Sequence, residues 1–269
     1  PKIAFIFTGQ GSQYADMGRE LYETEPRFAE TINRLASIMD PELGAPLLEI
    51  LFGDKSAAYL ESTRYVQPAL FALEFALADY LRHIGVEPSY VIGHSVGEIV
   101  AACIAGMLDL EDAARFVVTR GRLMGSLPEG GTMLAIAATP EQVQRWVQGK
   151  EADVTIATVN GPHAVVVSGK ADAVSAIGTM AQAAGRQIKE LEVSHAFHSP
   201  LMDPILDELT QAAASMRISP PRIPIVSNTS GDFFSDEIKP EYWSKHVRNA
   251  VLFHQGMQRI IDAGCSLIV

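Results

Sequence analysis

Residues 90–102 read YVIGHSVGEIVAA, and this stretch limits the fold more than any other. A short apolar run, Tyr90-Val91-Ile92, meets Gly93-His94-Ser95-Val96-Gly97 and then an apolar, helix-like run. A G-x-S-x-G pattern between a strand and a helix fits a nucleophile elbow. There the serine sits on a turn too sharp for bulky neighbours, and its hydroxyl points away from the sheet. The helix that follows presents free N–H groups and a partial positive charge, and the Val96 N–H can help bind an oxyanion. The alternative is that Ser95 only caps the helix. In both cases a strand feeds a helix directly, which points to an α/β fold.

The rest of the chain agrees. Residues 2–7 read as a buried strand, followed by the turn Thr8-Gly9-Gln10-Gly11-Ser12. Helical patterns cover 16–38. A helix is expected over 67–83, with Pro68 near its first turn, where proline is tolerated. A strand over 89–93, a helix from Val96 and a helix over 110–125 follow. Residues 133–137 look strand-like, and Thr139-Pro140-Glu141-Gln142 opens a helix with a capping pattern. Strands over 154–159 and 164–168, a helix over 171–184 and a strand over 186–193 complete the order β-α-β-β-α-β. That is the ferredoxin-like motif. We expect a small subdomain at 127–194 inserted into a larger α/β subdomain made of 1–126 and 195–269, with a mostly parallel sheet.

Composition sets outer limits. The 269 residues carry 48% hydrophobic and 20% charged side chains, an ordinary globular balance. A net charge of −11 argues against nucleic acid as a partner. The two cysteines, Cys103 and Cys265, lie in apolar runs and are expected to be buried. They make neither a disulfide framework nor a zinc site, so a reducing, cytoplasmic compartment is expected. No apolar run reaches the ~18 residues of a membrane span. The chain opens into KIAFIFTG and stops inside CSLIV, so a segment of a longer polypeptide is expected.

A serine hydroxyl needs a base. Of seven histidines, His83 reads as a helix-end surface residue and His163 as a loop residue. His94 is too close in sequence to serve Ser95, and His246 and His254 carry no readable motif. His195 and His198, in VSHAFHSP after the last strand of the insertion, remain the candidates. A second signal is Arg120. In the helix over 110–125, positions 113, 116, 117, 120 and 124 share one face, so Arg120 falls within an apolar stripe while Arg115 and Arg122 lie on a more polar side. A buried guanidinium needs a partner. That partner is either an internal acid or a ligand carboxylate gripped by two parallel hydrogen bonds.

Six segments in order, GQGSQ (9–13), YVQPALFALEFAL (65–77), GHSVGE (93–98), TRGRLM (119–124), VNGP…VVVSG (159–169) and HAFHSP (195–200), resemble the acyltransferase domains of polyketide synthases. These are relatives of malonyl-CoA:acyl carrier protein transacylase, and the likeness covers essentially the whole chain. The resemblance implies a hydrolase-like core with a ferredoxin-like insertion. It makes Ser95 the nucleophile and His198 the general base, held by a backbone carbonyl rather than an aspartate. It gives Gln10 and Val96 as oxyanion-hole N–H donors and Arg120 as the clamp for a free carboxylate. Phe197, His195 and Gln67 are implied as further substrate-binding positions. No metal and no bound cofactor are implied. The implied substrate is malonyl-CoA, the acceptor is the phosphopantetheine thiol of an acyl carrier protein, and the neighbours are synthase domains such as a ketosynthase. HAFH is the malonyl-type form of its box, whereas methylmalonyl-type domains tend to show YASH; Phe197 fills the space an α-methyl group needs. The chain departs from the family at His246, often Asn, and Ala250, often Pro. Transfer of methylmalonyl, or hydrolysis by a serine esterase or editing thioesterase, are the competing readings.

Overall fold

The computed structural model describes residues 1–235 and 238–269. Strand β1 (Ile3–Phe7) leads into helices α1 (Arg19–Thr24) and α2 (Pro26–Leu43). The helical patterns expected over 16–38 resolve into these two helices, the second running on to Leu43. The break is at Glu25, whose extended backbone is what a residue before proline prefers. Two short helices, α3 (Leu47–Phe52) and α4 (Ser56–Leu60), precede α5 (Thr63–His83). Helix α5 begins a turn earlier than expected, so Pro68 lies inside it rather than in its first turn.

Strand β2 (Tyr90–Gly93), helix α6 (Val96–Ile104) and helix α7 (Leu110–Gly125) follow the sequence reading closely. β2 runs parallel to β1, with Phe7 opposite Gly93. Behind it, α5, α6 and α7 pack into the large apolar core that holds Phe71, Val100 and Val117.

The chain then builds a separate antiparallel sheet: β3 (Gly131–Ile136), α8 (Pro140–Val147), β4 (Val154–Gly161), β5 (Ala164–Lys170), α9 (Ala171–Ala183) and β6 (Ile188–Glu190). Its order is β4-β5-β3-β6, with every neighbouring pair antiparallel. Thr139 accepts a hydrogen bond from the Gln142 N–H and so caps α8. β6 is shorter than the run expected over 186–193 and sits at the sheet's edge. Alternation decides the two faces. Leu134, Ile136, Val165 and Val167 pack with α8 and α9 in a core of their own, whereas Met133 and Val166 join the large core on the other side.

After β6 come a 3-10 turn (Pro200–Ile205) and helices α10 (Leu206–Ala214), α11 (Glu241–Arg248) and α12 (Phe253–Asp262). Strand β7 (Leu267–Ile268) pairs parallel with β1, giving the order β2-β1-β7, and a parallel bridge joins Val91 to Ile225 on the far side. The edge strand β4 meets the body of the protein at Val251, which exchanges backbone hydrogen bonds with Ala157 and Val159. The result is an α/β fold with one parallel and one antiparallel sheet. Both cysteines are free and half-buried rather than buried. Among the described residues no helix is long and apolar enough to cross a membrane.

Candidate active site

The junction of β2 and α6 explains its own glycines. A Cβ on Gly93 would lie 2.0 Å from the Gly97 carbonyl carbon, and one on Gly97 would lie 2.5 Å from the Phe7 oxygen. With both side chains absent, the chain reverses tightly enough to leave Ser95 at φ 52°, ψ −116°, a region non-glycine residues rarely adopt. Ser95 is therefore held on a strained turn rather than serving as an ordinary cap; its side chain makes no capping bond.

The Ser95 hydroxyl lies 2.9 Å from Nε2 of His198. Nδ1 of the same ring lies 2.9 Å from the Asn249 carbonyl. A carbonyl can only accept, so Nδ1 carries the proton and the lone pair of Nε2 faces the serine. His198 is buried and also stands at positive φ, 55°. Its imidazole is held down to about 3 by burial first, with the Arg120 cation and His94 adding to it. It is neutral at pH 7 and able to accept a proton.

Arg120 projects from α7 into this point. It is 1% exposed. Nη1 donates to Gln67 Oε1, Nη2 lies 3.1 Å from the Ser95 hydroxyl, and Nε has no partner. Among the described residues no carboxylate pairs with it directly, so the internal salt bridge weighed from the sequence is not there. Burial lowers the guanidinium to about 10, opposed by the more distant Glu98, and it stays charged at neutral pH. By contrast, Arg115 and Arg122 pair with Glu111 and Glu208 at the surface.

A cavity of about 170 Å³ brings together Ser95, His198, Arg120, Gln10, Val96, Gln67 and Phe197. Met133, Thr158, Asn160 and Val166 of the antiparallel sheet form its opposite wall. Val96 is the first residue of α6, where the N–H has no partner within the helix. Gln10 ties its side chain to the Thr63 hydroxyl at 3.3 Å. Phe197 is 7% exposed beside His198. His195 does not line the cavity. Its ring is engaged on both sides, by the Ser194 hydroxyl and the Leu127 carbonyl, each at 2.8 Å, and it ties together the two crossings of the chain between the sheets. His94 turns away from Ser95 to Asn160, 2.9 Å from its Oδ1. Among the described residues no three His, Cys, Asp or Glu side chains cluster as a metal site.

Sequence reasoning missed the layer behind the serine. Glu98 is fully buried and accepts from the Tyr242 hydroxyl and, at 2.6 Å, from the Asn228 N–H. Burial pushes its carboxyl up to about 8. His246, also buried, lies 3.7 Å from Glu98, and neither ring nitrogen has a hydrogen-bond partner. Glu98 was in plain view within GHSVGE, but its partners lie 130 and more residues away. The Asn249 carbonyl carries no side-chain signature at all.

Comparison with known proteins follows the same lines. The family profile described as acyl transferase domain matches residues 4–269. The spectinabilin polyketide synthase system protein NorB of Streptomyces orinoci is 45% identical over 97% of the chain, which spans 12% of that protein. The acyltransferase domain from the second module of the salinomycin polyketide synthase superposes with a TM-score of 0.94 at 42% identity, covering 99% of this chain and 62% of that one. The malonyl CoA-acyl carrier protein transacylase from Clostridium perfringens gives a TM-score of 0.91 at 27% identity, covering 100% and 85%. The chain thus spans a small part of the curated relative it matches.

Proposed function

The chain belongs to the acyl transferase domain family, and on that premise we propose that it moves a malonyl group from malonyl-CoA to the phosphopantetheine thiol of an acyl carrier protein during polyketide assembly. The observation that carries this reading is Arg120, a buried guanidinium without a carboxylate partner among the described residues and 3.1 Å from the nucleophile. A buried cation with open donors is costly unless an anion arrives, and a malonyl group brings one, two bonds from its reacting carbonyl.

The Ser95 hydroxyl attacks the thioester carbonyl while His198 Nε2 takes its proton. The oxyanion that forms accepts hydrogen bonds from the Gln10 and Val96 N–H groups, an interaction worth ~10²–10³ in rate per donor in comparable sites. As the tetrahedral centre collapses, the C–S bond breaks and His198 returns the proton to the departing CoA sulfur. The carrier thiol then attacks the malonyl ester on Ser95, His198 takes the thiol proton and gives it back to the serine oxygen. The incoming carboxylate offsets the Arg120 charge that depresses His198, so the base strengthens when the right substrate is bound. Gln67 holds Arg120 in aim. Phe197 leaves little room beside the α-carbon, which favours malonyl over methylmalonyl, although one methyl group is worth only ~1–3 kcal/mol. The carrier protein and neighbouring synthase domains, a ketosynthase among them, are the proposed partners.

The test offers malonyl-CoA, with methylmalonyl- and acetyl-CoA in competition, and then a phosphopantetheinylated carrier protein. The expected result is one malonyl group on the protein, discharged onto the carrier with little free malonate. Release of free malonate without transfer would make the chain a hydrolase instead.

A further inference from the structure

The side chain of Asn228 sits against both peptide groups that flank His94. Its Oδ1 accepts from the Ser95 N–H at 2.8 Å, and its Nδ2 donates to the Gly93 carbonyl at 2.7 Å. Its own N–H donates to Glu98 Oε2 at 2.6 Å, and its carbonyl accepts from the Leu252 N–H at 2.8 Å. Every polar group of Asn228 is used, and the residue is 1% exposed. Glu98 is in turn gripped by the Tyr242 hydroxyl. A loop that is remote in sequence thus clips together the end of β2 and the start of α6.

This clip acts where the backbone is under strain. A change of φ at Ser95 from 52° turns the His94–Ser95 peptide relative to the residue, and Asn228 holds that peptide's N–H together with the Gly93 carbonyl one peptide earlier. Relaxation would swing the hydroxyl off His198 and turn the Val96 N–H away from the cavity. We propose that Asn228, itself oriented by Glu98, is the positioning residue that keeps Ser95 aimed at its base and the helix N–H aimed at the oxyanion. The inference rests on Ser95 being the nucleophile of the proposed transfer. It does not depend on which acyl group is carried. Asn228 touches no substrate atom; it acts through the peptide groups of the elbow.

Asn228→Asp decides the matter because it fills the same volume. It keeps an acceptor for the Ser95 N–H but sets an oxygen against the Gly93 carbonyl. Asn228→Ala removes both bonds. Thermal unfolding verifies that each variant is folded, and two reactions of Ser95 are then timed: charging by malonyl-CoA, and labelling by a fluorophosphonate, which needs the serine and its base but no carboxylate clamp. Both rates are expected to fall about 100-fold in folded Asn228→Asp, with the KM for malonyl-CoA changed less than threefold. Glu98→Ala is expected to follow. Glu98→Gln, which keeps an acceptor for the Asn228 N–H, should retain at least tenfold more activity than Glu98→Ala. Folded Asn228→Asp that labels and charges within threefold of the unaltered protein overturns the proposal. Equal rates in Glu98→Gln and Glu98→Ala overturn the part assigned to Glu98. If the unaltered protein labels but is not charged by malonyl-CoA, the proposed function fails. The labelling ratio between it and Asn228→Asp still decides the clip.

Discussion

The two sheets contribute to the cavity by different means. The parallel sheet offers its strand ends: the turn after β1 brings Gln10, and the turn after β2 brings Ser95, at the carboxyl edge where α/β sheets place ligands. The antiparallel sheet offers a face: Met133 of β3, Thr158 of β4 and Val166 of β5 look into the cavity, while Leu134, Val165 and Val167 beside the first and last of them pack on α8 and α9. Atoms that must be placed accurately come from the turns at the strand ends, where Asn228 and the packed glycines hold Ser95. Atoms that only exclude water and set shape come from an alternating surface. Chemistry should therefore fail when the strand ends are altered, and selectivity or affinity should shift when the wall is altered.

The largest effects should fall at the strand ends and the loop that faces them. Ser95→Ala is expected to abolish the acyl ester altogether, and His198→Ala to slow its formation by about 10⁴ or more, since the two act as one unit. Intact-mass measurement over time checks both. Arg120→Ala should slow malonyl charging by about 100-fold while acetyl charging changes far less, because only the charge-assisted pair is lost. Equal losses for both acyl groups would mean that Arg120 serves the serine rather than the substrate. Phe197→Ser should move the malonyl-to-methylmalonyl ratio by about tenfold at most, read by competition between the two thioesters.

Smaller effects test the wall and the buried charges. Val166→Ala should change KM by less than about threefold and leave the maximal rate nearly intact. A loss of chemistry there would erase the contrast between the sheets. His246→Leu tests the pH dependence of stability. The His246 imidazole is held well below its ordinary value by burial first, then by the Arg120 cation and by His198 and His94. The unfolded chain takes up a proton at this residue below about pH 6.5, and the folded chain does not. The proton uptake favours unfolding as the pH falls, so the stability that His246 leaves intact at pH 8 is lost toward pH 5. Removing the imidazole should raise the melting temperature of the variant relative to the unaltered protein as the pH falls from 8 to 5. Scanning calorimetry at the two pH values checks it. An unchanged difference would mean that the folded protein also protonates His246.

Much of this was legible in the sequence wherever the signal is local. The β2–α6 junction, the extent of α7, the burial of Arg120 and the β-α-β-β-α-β order all follow from periodicity and turn residues over short windows. Extent was less legible at Pro68, expected near the first turn of its helix but carried inside α5, which starts at Thr63. His195 shares a box with His198 and a likeness of sequence, yet its two ring nitrogens are spent on Ser194 and Leu127. What could not be read was pairing at a distance. Asn228, Tyr242 and His246 meet Glu98 only after the chain has built a second sheet, and the Asn249 group that orients His198 is a backbone carbonyl, available to any residue type.

The central claim is that one buried serine accepts the acyl group while a guanidinium beside it holds the free carboxylate. Peptide mapping by mass spectrometry after brief mixing with malonyl-CoA tests this most directly. The account predicts a single malonyl ester, on the peptide carrying Ser95, absent in Ser95→Ala and strongly reduced in Arg120→Ala. An ester on any other residue, or a Ser95 ester formed as fast without Arg120, would contradict it.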